Sequence, residues 1–223
     1  MPAPFTPRLD ILPAPQLRLW AEFGALPAEF VLYGGTALTL RLGHRRSDDF
    51  DFFSRRPPDP LRLMPALPFL AGATVMQREP NTLSCLVDRG GLVKLSFFGL
   101  PDLPRLRPPG MAPVTGVRVA ALLDLAGTKA AIVQTRAEAK DYLDIDAMLT
   151  QGGIDLPTVL AAARALYGSA FAPLATLKAL TFFADGNLAR LPAAVQARLA
   201  AAVRAVAPDR LPDITPCADV AGR

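Results

Sequence analysis

Residues 34–53, GGTALTLRLGHRRSDDFDFF, decide the fold of this chain. A pair of glycines follows an apolar run, helix-forming residues come next, and the segment ends in the alternating pattern DFDFF. An apolar run before glycine and an alternating pattern are typical of strands, and a glycine after helix formers is typical of a helix end. The segment therefore predicts three elements: a buried strand over 29–34, a helix over 35–42 closed by Gly43, and a second strand over 49–53.

Asp49 and Asp51 lie two residues apart in the second predicted strand, so their side chains leave the same face. Phe50 and Phe52 leave the opposite face, toward a core. Neighbouring carboxylates repel each other unless a cation lies between them. Mg²⁺, or Mn²⁺ in its place, fits such a pair because it takes oxygen ligands and shares them with substrate phosphates. Taken alone, however, the D-x-D pattern is common, and two solvated aspartates at a strand edge explain it better.

The glycine pair upstream of the carboxylates favours a phosphate site. Gly34, Gly35 and Thr36 lie where a strand turns into a helix. Glycines let backbone amides approach an anion, and a helix N-terminus favours a phosphate. A tight turn that needs glycine only for its backbone angles explains the pair at least as well.

The loop between helix and strand is basic. Arg45 and Arg46, with Ser47 next to them, precede the carboxylates directly. The two arginines could neutralise the carboxylates in a structural ion pair, or they could bind a triphosphate or an RNA backbone, and the two interpretations rank equally. His44 is interpreted as a turn residue.

A second group of charged residues lies in a region of helical pattern. Lys129 and Arg136 are seven residues apart, which places them on one helix face, and Lys140 follows four residues later. Asp141 and Asp144 are neighbours on a helix surface. One interpretation is a solvated face with ion pairs worth a few tenths of a kcal/mol. The other has Lys129 reaching a triphosphate, and Asp141 or Asp144 ordering a basic group or acting as a base.

Both segments resemble the AbiEii/AbiGii toxin family of the nucleotidyltransferase-fold superfamily. The first matches in GG-T-A-L and in G-H-R-x-S-x-D-F-D-F-F, and the second in K-x(6)-R and K-D-x-x-D. The resemblance is close over residues 29–54 and 122–149. It implies a Mg²⁺-dependent transfer of a nucleotidyl group from a nucleoside triphosphate to an acceptor, most plausibly tRNA or another RNA. It also implies the toxin of a toxin–antitoxin pair, with a cognate antitoxin as partner.

The resemblance assigns roles to particular residues. Asp49 and Asp51 would hold the metal, and nucleotide binding would fall to the turn and loop residues Gly34, Gly35, Thr36, Arg45, Arg46 and Ser47. The catalytic set would be Asp49, Asp51, Lys129, Asp141 and Asp144.

One position departs from the family pattern. Enzymes of this fold commonly carry a third carboxylate on a neighbouring strand, where this chain has Ser96. Either Asp141 or Asp144 of the helical segment supplies the third acid, or the protein is a catalytically degenerate member. Such a member would bind nucleotide, RNA or a protein partner without turnover. Lys94 shares a face with Ser96 and is either a phosphate ligand or a half-exposed strand residue.

The chain as a whole is predicted to be an α+β protein in two parts. Residues 1–115 form a nucleotidyltransferase-like core, a small mixed sheet with flanking helices, and residues 116–223 form a helical C-terminal region that completes the site. Further strands are expected over 73–78, 82–88 and 92–98. Helices are expected over 14–26, 61–70, 118–134, 137–149, 156–167, 173–184 and 192–206. The tail after about residue 208 lacks periodicity and is expected to fray.

Composition narrows the remaining choices. The formal charge of +4 and the pI of about 9.4 are weak arguments for a nucleic-acid partner. The single histidine and two distant cysteines leave an oxygen-ligated ion as the metal of choice. No apolar stretch is long enough to span a bilayer, and the N-terminus lacks the pattern of a secretion signal, so a cytoplasmic protein is expected.

Overall fold

The computed structural model describes residues 5–217, and they form two compact units. The sheet unit consists of residues 5–103 and 108–120, and the helical unit consists of residues 104–107 and 121–217. The first carries a seven-stranded sheet with three α-helices, and the second carries five α-helices, counting the described residues only. The predicted α+β class, with a mixed sheet followed by a helical region, is confirmed.

The sheet is mixed. Its strands are β1 (Val31–Tyr33), β2 (Asp49–Ser54), β3 (Thr74–Glu79), β4 (Thr82–Asp88), β5 (Leu92–Gly99), β6 (Gly110–Met111) and β7 (Arg118–Val119), in the spatial order β3-β4-β5-β2-β1-β7-β6. β2 runs parallel to β5 and β1 runs parallel to β7, whereas the other neighbours are antiparallel. β2 is therefore an interior strand, and its side chains have neighbours on both sides.

Three helices accompany this sheet: α1 (Ala14–Trp20), α2 (Gly34–Leu42) and α3 (Pro60–Ala66). α2 ends as predicted, because Gly43 adopts the left-handed conformation at φ +66° and its amide donates to the Thr39 carbonyl. The helices predicted over 14–26 and 61–70 are shorter than expected. Each gives way to a turn of 3-10 helix, over Phe23–Ala25 and Pro68–Leu70.

One face of the sheet is an aromatic core. Phe50, Phe52 and Phe97 are fully buried, as predicted for the two phenylalanines of β2. The Phe23 ring packs edge-on against Phe50, Phe52 and Phe69 at centroid distances of 4.9, 5.3 and 5.2 Å. Burying a side chain of this size contributes about 1.5–3 kcal/mol. The alternation of β2 is thus fixed by its apolar face, which leaves the aspartates on the other face.

The helical unit contains α4 (Leu122–Ile132), α5 (Ala139–Thr150), α6 (Leu156–Tyr167), α7 (Pro173–Ala179) and α8 (Ala193–Arg204). The prediction that the first of these helices begins at residue 118 is wrong, because Arg118 and Val119 pair with β1 as strand β7. α4 packs closely on α6 at Gly127, where a Cβ would lie 2.9 Å from the backbone of Ala162. No helix in the described part of the chain is both long and apolar enough to cross a membrane.

Candidate active site

The carboxylates of β2 have the geometry that the sequence predicted. Asp49 and Asp51 are both half-buried, while Phe50 between them is fully buried, so the two aspartates share the face opposite the aromatic core. On β5, Lys94 lies beside Asp49 and Ser96 lies beside Asp51. Tyr33 of β1 flanks Asp51 on the other side.

The glycine turn is packed against this pair. Gly34 has φ +70°, and a Cβ at this position would lie 2.5 Å from Oδ2 of Asp51. A Cβ on Gly35 would lie 2.7 Å from Nη2 of Arg45 and 2.9 Å from Oγ of Ser47. A Cβ at either glycine would therefore displace a neighbouring side chain, and Gly34 is also favoured by its backbone conformation. The glycine turn therefore lies against two side chains of the basic loop, those of Arg45 and Ser47.

Two threonines of α2 hold the basic loop to the helix. The Thr36 hydroxyl donates to the carbonyl oxygen of Asp49, and the Thr39 hydroxyl donates to that of Arg45 at 3.0 Å. Thr36 is buried and engaged in this way, so its side chain fixes the start of β2. Arg46, by contrast, is exposed, and its guanidinium has no protein partner within residues 5–217.

Ser96 occupies the position of the third carboxylate and pairs with a second serine, Ser84. Ser96 is 1% exposed and lies 3.2 Å from Ser84 of β4, hydroxyl oxygen to hydroxyl oxygen. The residue beside Asp51 on β5 is thus a small, neutral and hydrogen-bonded side chain.

The charged residues of the helical unit form a buried cluster. The Lys129 ammonium of α4 lies 2.6 Å from Oδ1 of Asp141 and 2.6 Å from Oδ2 of Asp144, both on α5. The Lys129 side chain is 4% exposed, and both aspartates are fully buried. Nε of Arg136 approaches the second oxygen of Asp141 to 2.7 Å. The structure therefore brings Lys129, Asp141 and Asp144 together, and the interpretation as a solvated helix face is wrong.

Two details of the predicted geometry need correction. α4 ends at Ile132, so Arg136 lies in the following loop and does not share a helix face with Lys129. Lys140, which follows Arg136 by four residues, does not join the cluster but forms an ion pair with Glu138 at 2.9 Å, whereas Asp144 binds Lys129. The position of Arg136 follows from the break between α4 and α5, which agrees with the helices predicted over 118–134 and 137–149.

Electrostatics in this cluster favour the ionised form of Asp141. Burial alone would raise the pKa of its carboxyl, but the hydrogen bonds and charges of Arg136 and Lys129 outweigh burial and hold the pKa below its usual range. The cluster is thus a network of opposite charges in a buried environment, where removal of one partner leaves the others uncompensated.

Asp124 is a buried carboxylate that no sequence pattern identified. Asp124 of α4 is 1% exposed and accepts hydrogen bonds from the backbone amides of Leu106 and Arg107 at 2.9 and 3.0 Å. Burial raises its pKa, and these two hydrogen bonds offset only part of the rise. Its partners lie 17 and 18 residues upstream, and no spacing rule links such positions.

The helical unit also contains an open cavity of about 350 Å³. Arg136 and Lys178 supply positive charge to its lining, Asp185 supplies negative charge, and Tyr142 and Phe182 supply aromatic rings. Phe182 is 57% exposed. Arg136 thus lines this cavity and binds Asp141 of the buried cluster.

The carboxylates of β2 suit a divalent metal. They offer oxygen donors from one strand face, and Mg²⁺ in nucleotide enzymes is typically bound by one or two carboxylates together with substrate phosphates. Among residues 5–217 no group of three or more histidine, cysteine or acidic side chains could hold a metal by itself. Asp49 and Asp51 therefore fit a metal that arrives with a phosphate ligand, and they do not form a complete protein cage.

Two solved structures share this fold. MenT4, a nucleotidyltransferase toxin of Mycobacterium tuberculosis H37Rv, superposes with a TM-score of 0.57 at 18% identity, over 86% of this chain and 84% of its own. A candidate nucleotidyltransferase from H. pylori gives a TM-score of 0.55 at 18% identity, over 85% and 91% of the two chains. At such identities the likeness establishes the nucleotidyltransferase fold.

Sequence comparison identifies the family. An uncharacterised protein of Aquifex aeolicus (strain VF5), aq_aa25, is 31% identical over 161 residues, which cover 71% of this chain and 76% of that protein. The family model described as "Nucleotidyl transferase AbiEii toxin, Type IV TA system" matches residues 18–215. That match includes the glycine turn, both β2 aspartates and the buried cluster, and it shows that the chain belongs to the AbiEii family of nucleotidyltransferase toxins.

Proposed function

We propose that this nucleotidyltransferase moves a nucleotidyl group from a nucleoside triphosphate to an RNA acceptor, with Asp49 and Asp51 as its catalytic carboxylates. The observation that carries the proposal is the close packing of the Gly34 turn against Asp51. This packing sets the first amides of α2 beside a carboxylate pair that faces away from the core. Backbone amides at a helix N-terminus bind phosphate, and paired carboxylates hold the divalent ion that accompanies it.

The proposed reaction is a substitution at the α-phosphorus. A hydroxyl of the acceptor loses its proton to water and forms a new oxygen–phosphorus bond as the bond between the α-phosphorus and pyrophosphate breaks. The Gly34-Gly35 turn binds phosphate oxygens, and Arg45, held beside Gly35, stabilises their negative charge. Arg46 is exposed and reaches phosphate or RNA from the loop. A Mg²⁺ ion on Asp49 and Asp51 supplies Lewis-acid stabilisation of charge when it is bound, and Mn²⁺ can replace it.

We propose a positioning role for Lys129, Asp141 and Asp144. The Lys129 ammonium has carboxylate oxygens at 2.6 Å from two aspartates and a side chain that is 4% exposed, so both partners and burial keep it from a phosphate. The cluster instead ties α4 to α5 and fixes Arg136 at the cavity of the helical unit. Its loss is expected to lower activity through the architecture of that unit.

The acceptor is proposed to be RNA, with tRNA as the first candidate. Support comes from the cavity of the helical unit, which joins cationic Arg136 and Lys178 to the exposed ring of Phe182. Grooves that bind single-stranded nucleic acid combine positive charge with aromatic rings on which bases stack. As a toxin-family member the protein is also proposed to bind a cognate antitoxin.

The carboxylates are tested by nucleotidyl transfer to total tRNA with each radiolabelled nucleoside triphosphate and Mg²⁺. Asp49→Asn and Asp51→Asn are expected to lower transfer at least 100-fold, because each loses half of the metal-binding charge. Asp48→Asn, a change of the exposed neighbouring aspartate, serves as the control and is expected to retain activity. Transfer that survives Asp51→Asn would overturn the proposal, and nucleotide binding by the wild type without transfer to any RNA would favour a degenerate binding protein.

The acceptor proposal is tested separately. Lys178→Ala and Phe182→Ala are expected to raise the KM for tRNA about tenfold without changing the KM for the nucleotide. Lys140→Ala, in which an exposed lysine outside the cavity is removed, is the control. Unchanged KM values in both cavity variants would exclude this cavity as the acceptor site and leave the carboxylate proposal intact.

A further inference from the structure

The side chains on the sheet face that carries the aspartates change from charged to aromatic along β2 and β5. In the register of these strands Asp49 lies beside Lys94, Asp51 beside Ser96, and Phe53 beside Phe98. Since alternate residues of a strand share a face, all of these side chains are on the side opposite the aromatic core. The carboxylates are thus flanked by a cation at one end and by aromatic rings at the other.

Lys94 is a cation available to a ligand. Its side chain is exposed, and within residues 5–217 it has no carboxylate partner, although it is the strand neighbour of Asp49. Structural ion pairing therefore does not account for this lysine. An ammonium beside a carboxylate pair is suited to the phosphates of a metal–nucleotide complex, because one divalent ion does not offset the negative charge of both the carboxylates and the triphosphate.

The aromatic end of this face consists of rings that pack on one another. Phe53 stacks on Tyr33 at a centroid distance of 4.5 Å and an interplanar angle of 10°. Phe98 meets Phe53 edge-on at 5.5 Å. Phe53 and Phe98 are half-buried, whereas the phenylalanines on the other face, Phe52 and Phe97, are fully buried. Phe98 has a single ring neighbour in the described chain, and it presents aromatic surface two residues beyond the carboxylates, roughly 7 Å along the strand.

The glycine turn lies at one end of this face and so distinguishes its two ends. β1 is antiparallel to β2, with Val31 beside Phe53 and Tyr33 beside Asp51. Gly34 follows Tyr33 and therefore lies toward Asp49, at the Lys94 end. The amides of the glycine turn and the Lys94 ammonium are at the same end of the carboxylate pair, and the aromatic rings are at the opposite end.

We infer that this face binds the nucleoside triphosphate in one orientation, with the β- and γ-phosphates at Lys94 and the base stacked on Phe98. The inference rests on the proposed function and adds to it a phosphate ligand and a base-binding residue. Stacking on a single phenylalanine is tolerant of the base, because each base has an aromatic face. The orientation thus predicts modest discrimination among the four nucleotides.

Equilibrium binding in the absence of RNA tests the inference with two probes. The first is ATP with Mg²⁺, and the second is inorganic tripolyphosphate with Mg²⁺, which has the phosphates but lacks a base. Phe98→Leu is expected to weaken ATP binding about fivefold or more and to leave tripolyphosphate binding unchanged. Phe98→Tyr, which keeps a ring, is expected to bind ATP like the wild type. Lys94→Ala is expected to weaken binding of both probes about tenfold, and Arg62→Ala, a change of an exposed cation on α3, is expected to affect neither.

The outcomes separate the inference from the proposed function. A wild type that binds and transfers nucleotide, with Phe98→Leu and Lys94→Ala of unchanged affinity, would overturn the inference alone. Equal losses of both probes in Phe98→Leu would also overturn it, because a base contact cannot affect a probe without a base. A wild type that binds neither probe, and none of the other three nucleoside triphosphates, would refute the proposed function itself. Thermal unfolding of each variant shows whether a loss of binding reflects a loss of folded protein.

Discussion

Gly34 and Asp51 are in such close approach that a Cβ on the glycine would lie 2.5 Å from the carboxylate oxygen Oδ2. The glycine also has φ +70°, a conformation that costs a residue with a Cβ about 1–2 kcal/mol. The turn and the carboxylate are therefore not independent features. A change in one displaces the other.

The first prediction concerns this pair. Gly34→Ala is expected to displace the Asp51 side chain, to lower nucleotidyl transfer at least tenfold and to destabilise the protein by about 1–2 kcal/mol. Transfer assays and urea denaturation measure the two effects. Gly24→Ala is the control, because a Cβ at Gly24 has no neighbour within 4 Å and its φ is not positive. Full activity in Gly34→Ala would show that the position of Asp51 does not depend on the turn.

The second prediction concerns the buried cluster. Lys129→Met is expected to lower the free energy of unfolding by about 3–5 kcal/mol, because Asp141 and Asp144 remain buried with less compensating charge. Lys140→Met removes an exposed lysine and is expected to change the free energy of unfolding by less than about 1 kcal/mol. Chemical denaturation compares the two, and similar effects of both substitutions would contradict the importance of burial.

The third prediction concerns pH. In the folded protein the pKa of Asp141 lies below its usual range, so its ion pairs stabilise the fold fully above the unfolded carboxyl pKa of about 3.9. This stabilisation is lost as the pH falls through the lower folded value. Asp141→Asn has no carboxyl to protonate at this position. The difference in stability between wild type and Asp141→Asn is expected to shrink on acidification from about pH 7 to about pH 2, and a constant difference would contradict this assignment.

The fourth prediction concerns Asp124. Asp124→Ala leaves the buried amide of Leu106 and the amide of Arg107 without acceptors, at an expected cost of about 1–3 kcal/mol for each unsatisfied group. Hydrogen exchange of the Leu106 amide is expected to accelerate in the variant. Asp102→Ala removes an exposed aspartate and is expected to change neither quantity. Unchanged protection of Leu106 in Asp124→Ala would show that another group holds the segment.

The arrangement of β1, α2 and β2 was predictable because local signals agree there. Each element or turn has its own local signal: an apolar run for β1, a glycine turn and a glycine cap for the ends of α2, and strict alternation for β2. The observed bounds agree with these signals to within about two residues. β7 was not predictable, because two residues carry no periodic signal and their extended conformation depends on pairing with β1.

The residues of the candidate site stay a prediction from the sequence, and their arrangement could not be predicted from it. Lys129 and Asp144 have spacings that suit an exposed helix face, and only the packing of α4 on α5 makes them a buried pair. Phe98 could not be identified from the sequence, because its proposed role depends on the register between β2 and β5, which are separated in sequence by two other strands.

The segment held by Asp124 affects how the protein can be divided. The polypeptide leaves the sheet unit at residue 104, returns at residue 108 to add β6 and β7, and leaves again at residue 121. A fragment that ends at residue 120 would carry the 104–107 segment without the helix that accepts its amides, and a fragment that begins at residue 121 would lack that segment altogether. A single cut anywhere in the chain therefore leaves at least one of the two units incomplete.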